Sequence, residues 1–342
     1  MPRSGKCAVL VALATAACGG SGSAALPKLT SGVEAIAAGG DSTCALVSGG
    51  VECWGFNYYG QLGNDSTDLS TVPVQVTLLT SGVAEIAVGG EHACALVSGG
   101  VECWGDNDHG QLGLGPGTAA DGFAPIQGGV PVQSPALTQD VVAIAAGELH
   151  TCALQNSPSS PGNVGVQCWG DNEFGQIGSP DTTLSPVPLQ VASLTTGVTA
   201  IAAGGGHTCA IVGQGVECWG NNDFGQLGTA ATTLSPVPLE VASLSTGVTA
   251  IAAGASHTCA VVNGGVQCWG DNSHGQLGDG TTVGSASPVP VAGIATGATG
   301  VAAGAFHTCA LVSGGVECWG YDYYGQLGNN AGVDSSVPIQ VQ

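Results

Sequence analysis

The chain has 342 residues, of which 59 are glycine, 44% are hydrophobic and only 8% are charged. Twenty-four carboxylates stand against three basic residues, Arg3, Lys6 and Lys28, for a formal net charge of −21 at pH 7. That balance excludes nucleic-acid binding, which needs cations to displace counterions from phosphates, and it excludes attraction to anionic lipid. The hydrophobic content excludes a disordered chain.

Residues 1–18 read as an export signal. Arg3 and Lys6 form a short positive region, followed by the 11-residue apolar run CAVLVALATAA. That run is far short of the ~20 residues a bilayer-spanning helix needs, and it fits a signal-peptide core. Cys18 follows at once. The run resembles a bacterial lipoprotein signal, in which the cysteine after the small residues is lipidated. Thr15 stands three positions before Cys18, where such signals usually carry Leu, Val or Ile. A plain secretory signal with an incidental cysteine is the competing reading. Residues 19–31, opening on a Gly/Ser/Ala run, read as a flexible tether. The expected location is the bacterial outer membrane, cell surface or periplasm, with membrane contact only through a lipid on Cys18.

From residue 32 one unit recurs six times, at 32–81, 82–139, 140–196, 197–246, 247–296 and 297–342. Each holds one of the six tryptophans, Trp54, Trp104, Trp169, Trp219, Trp269 and Trp319, spaced by 50, 65, 50, 50 and 50 residues. The long spacing comes from an extra stretch at 114–139 and a longer hairpin turn at 155–165. The fourth unit shows four short candidate strands: VTAIAA, HTCAIV, GVECWG and a proline-led PLEV. A period near ~50 with four strands per unit selects a β-propeller among all-β architectures. The first strand is built of small residues, as in AIAAG of the fourth unit, which suits an innermost strand crowded around a central channel.

The runs AAGxxHTCAL, VxCWGxNxxGQLG and the proline-led last strand resemble the regulator of chromosome condensation repeat family. The resemblance covers residues 32–342. The GQLG element recurs at Gln61, Gln111, Gln226, Gln276 and Gln326, and as Gly175-Gln176-Ile177-Gly178 in the third unit. The expected fold is all-β, a propeller of six blades with four antiparallel strands each. Relatives commonly have seven blades, so a seven-position or irregular ring is the alternative. The resemblance implies partner contacts on a propeller face, and nucleotide-exchange activity by analogy. Export and disulfides argue against the latter, because cytosolic small GTPases would be out of reach. Ultraviolet-sensing plant members use tryptophan beside arginine. Arg3, inside the signal, is the sole arginine, which excludes that role.

Each unit carries one cysteine on its second strand and one on its third. The expected pairs are Cys44 with Cys53, Cys94 with Cys103, Cys152 with Cys168, Cys209 with Cys218, Cys259 with Cys268, and Cys309 with Cys318. A two-residue loop at Ser48-Gly49 sets Cys44 opposite Cys53 at a non-hydrogen-bonded position, where side chains approach within reach of a disulfide. Of 14 cysteines, Cys7 lies in the signal and Cys18 at the lipidation site. The rest make six local bridges, as an oxidising compartment allows. Metal binding is the weaker reading, since zinc sites favour CxxC spacing.

Five histidines, His92, His150, His207, His257 and His307, precede the first cysteine of their units by two residues, with Ser42 in the sixth place. One per unit implies one structural job per unit, expected to be bonding the turn after AAG. The Asp/Asn/Glu runs after each tryptophan lack the spaced carboxylates of a twelve-residue calcium loop and read as turns. No metal, cofactor or nucleophile motif is expected. Function is expected where the copies disagree. One zone precedes the histidine column: Asp41, Glu91, Leu149 and Phe306. The other is aromatic. All five tyrosines fall in the first and last units, which a closed ring makes neighbours. Tyr59 and Tyr324 share a slot with Phe174, Phe224, His109 and His274 and read as structural. Phe56, Tyr58, Tyr321 and Tyr323 read as a binding patch at the seam. The expected function is a non-catalytic exported scaffold for a protein, or a glycan. The alternative is a polysaccharide hydrolase or lyase using face carboxylates.

Overall fold

The computed structural model describes residues 32–115, 129–157 and 160–342. The expected signal, Cys18 and tether lie outside the described residues. These residues form six antiparallel sheets of four strands, each sheet made by one repeat with its strands in sequential order. The six-bladed, all-β expectation holds. In blade four the inner strand is Val198–Ala203, the second His207–Val212, the third Gly215–Asn221 and the outer Leu234–Glu240. Blade two has the shortest outer strand, Val132–Gln133, next to the extra stretch.

The second and third strands are joined by the expected two-residue loops. Ser48 and Gly49 both take positive φ, 51° and 79°, the backbone that matches the right-handed strand twist. Register follows: Val47 faces Gly50 and Cys44 faces Cys53, with Cα atoms 4.1 Å apart. The same register sets Cys94 opposite Cys103, Cys209 opposite Cys218, Cys259 opposite Cys268 and Cys309 opposite Cys318. The longer hairpin of blade three still keeps Cys152 opposite Cys168. All six pairs are bridged as expected. Their sulfurs are consumed by these bonds and bind no metal. Six disulfides place folding in an oxidising environment. No helix among the described residues is long and apolar enough to cross a membrane.

Neighbouring blades are joined by a repeated latch. The backbone carbonyl of the GQLG glutamine accepts from the indole Nε1–H of the next blade's tryptophan, at 2.8–2.9 Å in five interfaces. The same carbonyl accepts from the hydroxyl of the next blade's Thr151, Thr208, Thr258 or Thr308, at 2.8–3.0 Å. That threonine in turn meets Nε2 of the histidine one blade back: His92 to Thr151, His150 to Thr208, His207 to Thr258 and His257 to Thr308, at 2.8–2.9 Å. The histidines therefore bond across blades, and the expectation that each bonds its own turn is corrected. The ring does pack beneath that turn: a Cβ on Gly89 would lie 2.3 Å from the His92 ring and 2.4 Å from the Gly147 carbonyl. Only glycine fits there. Where histidine is missing, at Ser42, the facing residue is Ala93, so no threonine hydroxyl waits there for a donor.

Among the described residues none of these links joins blade six to blade one. The Gln326 carbonyl receives no donor from Trp54, and His307 has no partner in Thr43. The apolar cluster of blade six, around Cys309, Cys318 and Leu327, contains no residue of blade one. Val33 is 39% exposed, whereas its counterparts Val83, Val141, Val198 and Val248 are 3–6% exposed. Among the described residues the seam between blades six and one thus lacks the common interface. Thr208→Ala is expected to cost about 1–3 kcal/mol, because it leaves the buried His150 Nε2–H without an acceptor. Urea unfolding checks this, and an unchanged midpoint would contradict the latch.

Candidate binding face

Both variable zones lie on one face. In every blade the residue after Trp-Gly donates its N–H to the carbonyl of the residue before the histidine column. Phe56 bonds Asp41, Asp106 bonds Glu91, Asp171 bonds Leu149 and Tyr321 bonds Phe306, all at 2.9 Å. The two zones are separate in sequence, and the β-ladder brings them together.

The GQLG glutamine organises this face. Its Oε1 accepts the N–H two residues upstream, and its Nε2 donates to the residue after Trp-Gly. Gln111 bonds Asp106, Gln176 bonds Asp171, Gln226 bonds Asn221 and Gln276 bonds Asp271, at 2.6–2.7 Å. Blades one and six carry Phe56 and Tyr321 at that position. Gln61 turns instead to Glu91. Burial, aided by the Asp41 and Asp106 carboxylates, raises the Glu91 pKa to about 6.

The aromatic residues form two clusters, one on each seam blade, and not the single patch expected from a closed ring. On blade one, Phe56 and Tyr58 stack at 6.4 Å, and Tyr59 meets Tyr58 edge-on at 5.2 Å. A cleft of about 330 Å³ opens beside them, lined by Phe56, Asn57, Tyr58, Thr67, Asp68 and Leu69. On blade six, Tyr321 stacks with Tyr323 at 6.4 Å and meets Tyr324, Phe306 and His274 edge-on at 4.7–6.4 Å. His274 also pairs with Asp334 at 2.9 Å. Tyr58 and Tyr323 are each 71% exposed and Tyr324 68%. Tyr324 belongs to the exposed cluster, which corrects its reading as a structural residue. Tyr321 is half-buried, as is Leu149.

Two residues escaped the sequence reading. Glu85 stands on the inner strand of blade two, where other blades have Ala35, Ala143, Ala200, Ala250 and Gly300. Burial raises its pKa to about 7, partly offset by the Ile144 N–H. The available signal was one charged residue in an otherwise small-residue strand. The second is Asp322, which replaces the asparagine of the WGxNxxGQLG pattern. No group of three or more His, Cys, Asp or Glu among the described residues is arranged to hold a metal.

The histidine column has a definite protonation state. Each latch threonine spends its one proton on the glutamine carbonyl, so it must accept from His Nε2–H, leaving Nδ1 as a bare lone pair. Burial lowers these histidines to about 3–4. A proton added at Nδ1 would be buried without an acceptor. Stability from this column is complete above the unfolded value near 6.5 and is lost as pH falls toward 4. Burial also raises the pKa values of Glu85, Glu91, Glu102, Asp106 and Glu217, which act in the opposite direction and favour the fold at low pH, but the five histidines are the more deeply buried set. The melting temperature is therefore expected to fall steadily from pH 7 to pH 4 in a thermal scan; a rise over that range would refute the assignment.

The family profile of the RCC1-like domain matches residues 17–342. The chain belongs to the RCC1-like domain family. It is 31% identical over 179 residues to the ultraviolet-B receptor UVR8 of Arabidopsis thaliana, covering 52% of this chain and 38% of the receptor. The match thus spans well under half the receptor's length. The fold resembles human WBSCR16, with TM-score 0.78 and 23% identity, over 92% of this chain and 83% of that one. It also resembles Prp20p of Saccharomyces cerevisiae, a protein studied for binding Gsp1p and histones, with TM-score 0.73 and 23% identity, over 90% of this chain and 76% of that one. At these identities the structural likenesses establish the fold. Five of the tryptophans of this RCC1-like chain are fully buried and serve the latch.

Proposed function

We propose that this RCC1-like propeller is an exported, non-catalytic scaffold that binds a protein partner through the aromatic clusters of blades one and six. One observation carries the reading. Two positions after Trp-Gly hold turn-forming residues in the middle blades: Asp106 and Asp108, Asp171 and Glu173, Asn221 and Asp223, Asp271 and Ser273. The seam blades place Phe56 and Tyr58, and Tyr321 and Tyr323, at those same positions. At the first position the aromatic forgoes the glutamine bond made in four sister blades, and at the second it stands in solvent. Packing does not require such residues. Exposed tyrosines with few rotatable bonds are the usual anchors of interfaces.

The family resemblance supports a protein partner, and the disulfides support an oxidising location. Anchoring at a bacterial outer membrane through a lipid on Cys18, and a glycan as the bound polymer, are finer parts of the same proposal. Removing Phe56, Tyr58, Tyr321 and Tyr323 together by alanine substitution is expected to weaken partner binding at least tenfold, since each interface anchor is worth about 2 kcal/mol. The melting temperature should stay within a few degrees. The check is capture from an envelope fraction followed by titration of the recovered partner. Equal affinity for both chains would sink the proposal. Hydrolysis of a polysaccharide by the quadruple variant and the parent alike would point to the face carboxylates instead.

A further inference from the structure

In the motif WGxNxxGQLG the asparagine has two tasks. Its Oδ1 accepts the leucine or isoleucine N–H five residues on, at 2.8–3.0 Å in blades one to five. Its Nδ2 donates into the following loop. Asn57 reaches Asn64 Oδ1, the Ser66 carbonyl and the Asp68 carbonyl at 2.9–3.2 Å. Asn272 reaches Asp279 Oδ1 and the Thr281 and Val283 carbonyls at 3.1–3.2 Å. Asn172 and Asn222 each donate to two loop carbonyls. These loops are rings of oxygen closed around one amide donor.

Blade six breaks the pattern. Asp322 Oδ1 still accepts the Leu327 N–H at 2.8 Å, so the carboxylate sits in the asparagine's pose. Its Oδ2 then occupies the place of the amide nitrogen. Asp322 is fully buried, and Oδ2 has no hydrogen-bond partner. The loop starts as in blades one and five and then diverges at Gly332, which takes a positive φ of 63° where Thr67 and Thr282 do not. Asn330 takes a positive φ of 59° where Asp65 has 60° and Gly280 has 88°. Asn329 Oδ1 accepts the Ala331 N–H at 2.9 Å, as Asp279 Oδ1 accepts that of Thr281. By the correspondence over Asn329 and Asn330, Asp322 Oδ2 takes the place of the amide nitrogen that reaches Asn64 Oδ1 in blade one and Asp279 Oδ1 in blade five. An oxygen therefore stands where sister blades have an N–H₂. Among the described residues no cation offsets the charge. Burial lowers the His307 pKa to about 4 against an upward pull from the Asp322 charge, and His274 is paired with Asp334, whose other oxygen accepts the Asp322 N–H. A buried carboxylate without a partner is costly.

We propose that blade six binds a hard divalent cation, calcium, at Asp322 Oδ2 and Asn329 Oδ1, with carbonyl oxygens of the 329–333 loop and water completing the shell. Carboxylate, amide and backbone oxygens on a flexible loop are calcium's donors, and magnesium's stricter octahedron suits them less. Calcium performs here the task of the asparagine amide, tying the loop to the blade. Asp322 lies between Tyr321 and Tyr323, so the ion also fixes the base of the aromatic cluster. The site stands on the buried, unpartnered Asp322 carboxylate and does not depend on the scaffold reading.

The test is thermal unfolding of the purified chain in EDTA and in CaCl₂, with MgCl₂ as control, together with terbium luminescence sensitised by the flanking tyrosines. Calcium at a hundredfold excess over Kd should raise the melting temperature by roughly 3–5 °C. Asp322→Asn restores the sister arrangement and so should fold. It should melt in EDTA near the calcium-loaded parent, show no calcium shift and give no terbium signal. Excess calcium should quench terbium luminescence of the parent. Identical melting of the parent in EDTA and calcium, or an undiminished terbium signal from Asp322→Asn, would overturn the site.

Discussion

The fold rests on one carbonyl group per blade. The GQLG glutamine carbonyl accepts two donors from the next blade, an indole N–H and a threonine hydroxyl, and the threonine is held by a histidine of the first blade. All these groups are buried, where an unpaired polar atom costs about 1–3 kcal/mol. Each residue of the latch is therefore required by the others. Tryptophan, histidine, threonine and glutamine recur at fixed places in the repeat because one carbonyl must be satisfied by two neighbours. The glycine of AAG recurs because the histidine ring and the next inner turn leave no space for a Cβ.

The latch also sorts the chain into structure and surface. It consumes the residues that chemistry would otherwise borrow: five buried indoles, the imidazole column and the glutamines. What it leaves is concentrated at the seam, where the latch stops. Among the described residues Trp54 has no partner in blade six and Val33 stands partly exposed, while Leu327 and the blade-six disulfide are buried in a cluster that holds no blade-one residue. The same two blades replace face acids with aromatics. The individuality of these near-identical blades sits at that seam.

Much of this is legible in the sequence. The cysteine pairing, from Cys44 with Cys53 through Cys309 with Cys318, follows from a two-residue turn and the period of two along a strand, which are local rules. The blade count follows from the tryptophan spacing. The histidine's role is not legible, because its partner lies 51 to 59 residues away in the next repeat, beyond any local pattern. The aromatic residues stand out in sequence but belong together only if the ring closes, and the last interface is a matter of distances between repeats. Asp322 passes unnoticed because aspartate and asparagine are equivalent as turn formers on a surface. They differ only when the side chain is buried among oxygens.

By itself the sequence determined the repeat, the strands, the disulfide register and the acidic, cation-poor surface, because each depends on residues adjacent in the chain or on composition. Tertiary structure alone decided which groups meet across blades, which seam of the described residues lacks the latch, and which carboxylate is buried without a donor. Those outcomes depend on distances between repeats. Six copies of one motif look alike in sequence until packing gives each a different neighbour.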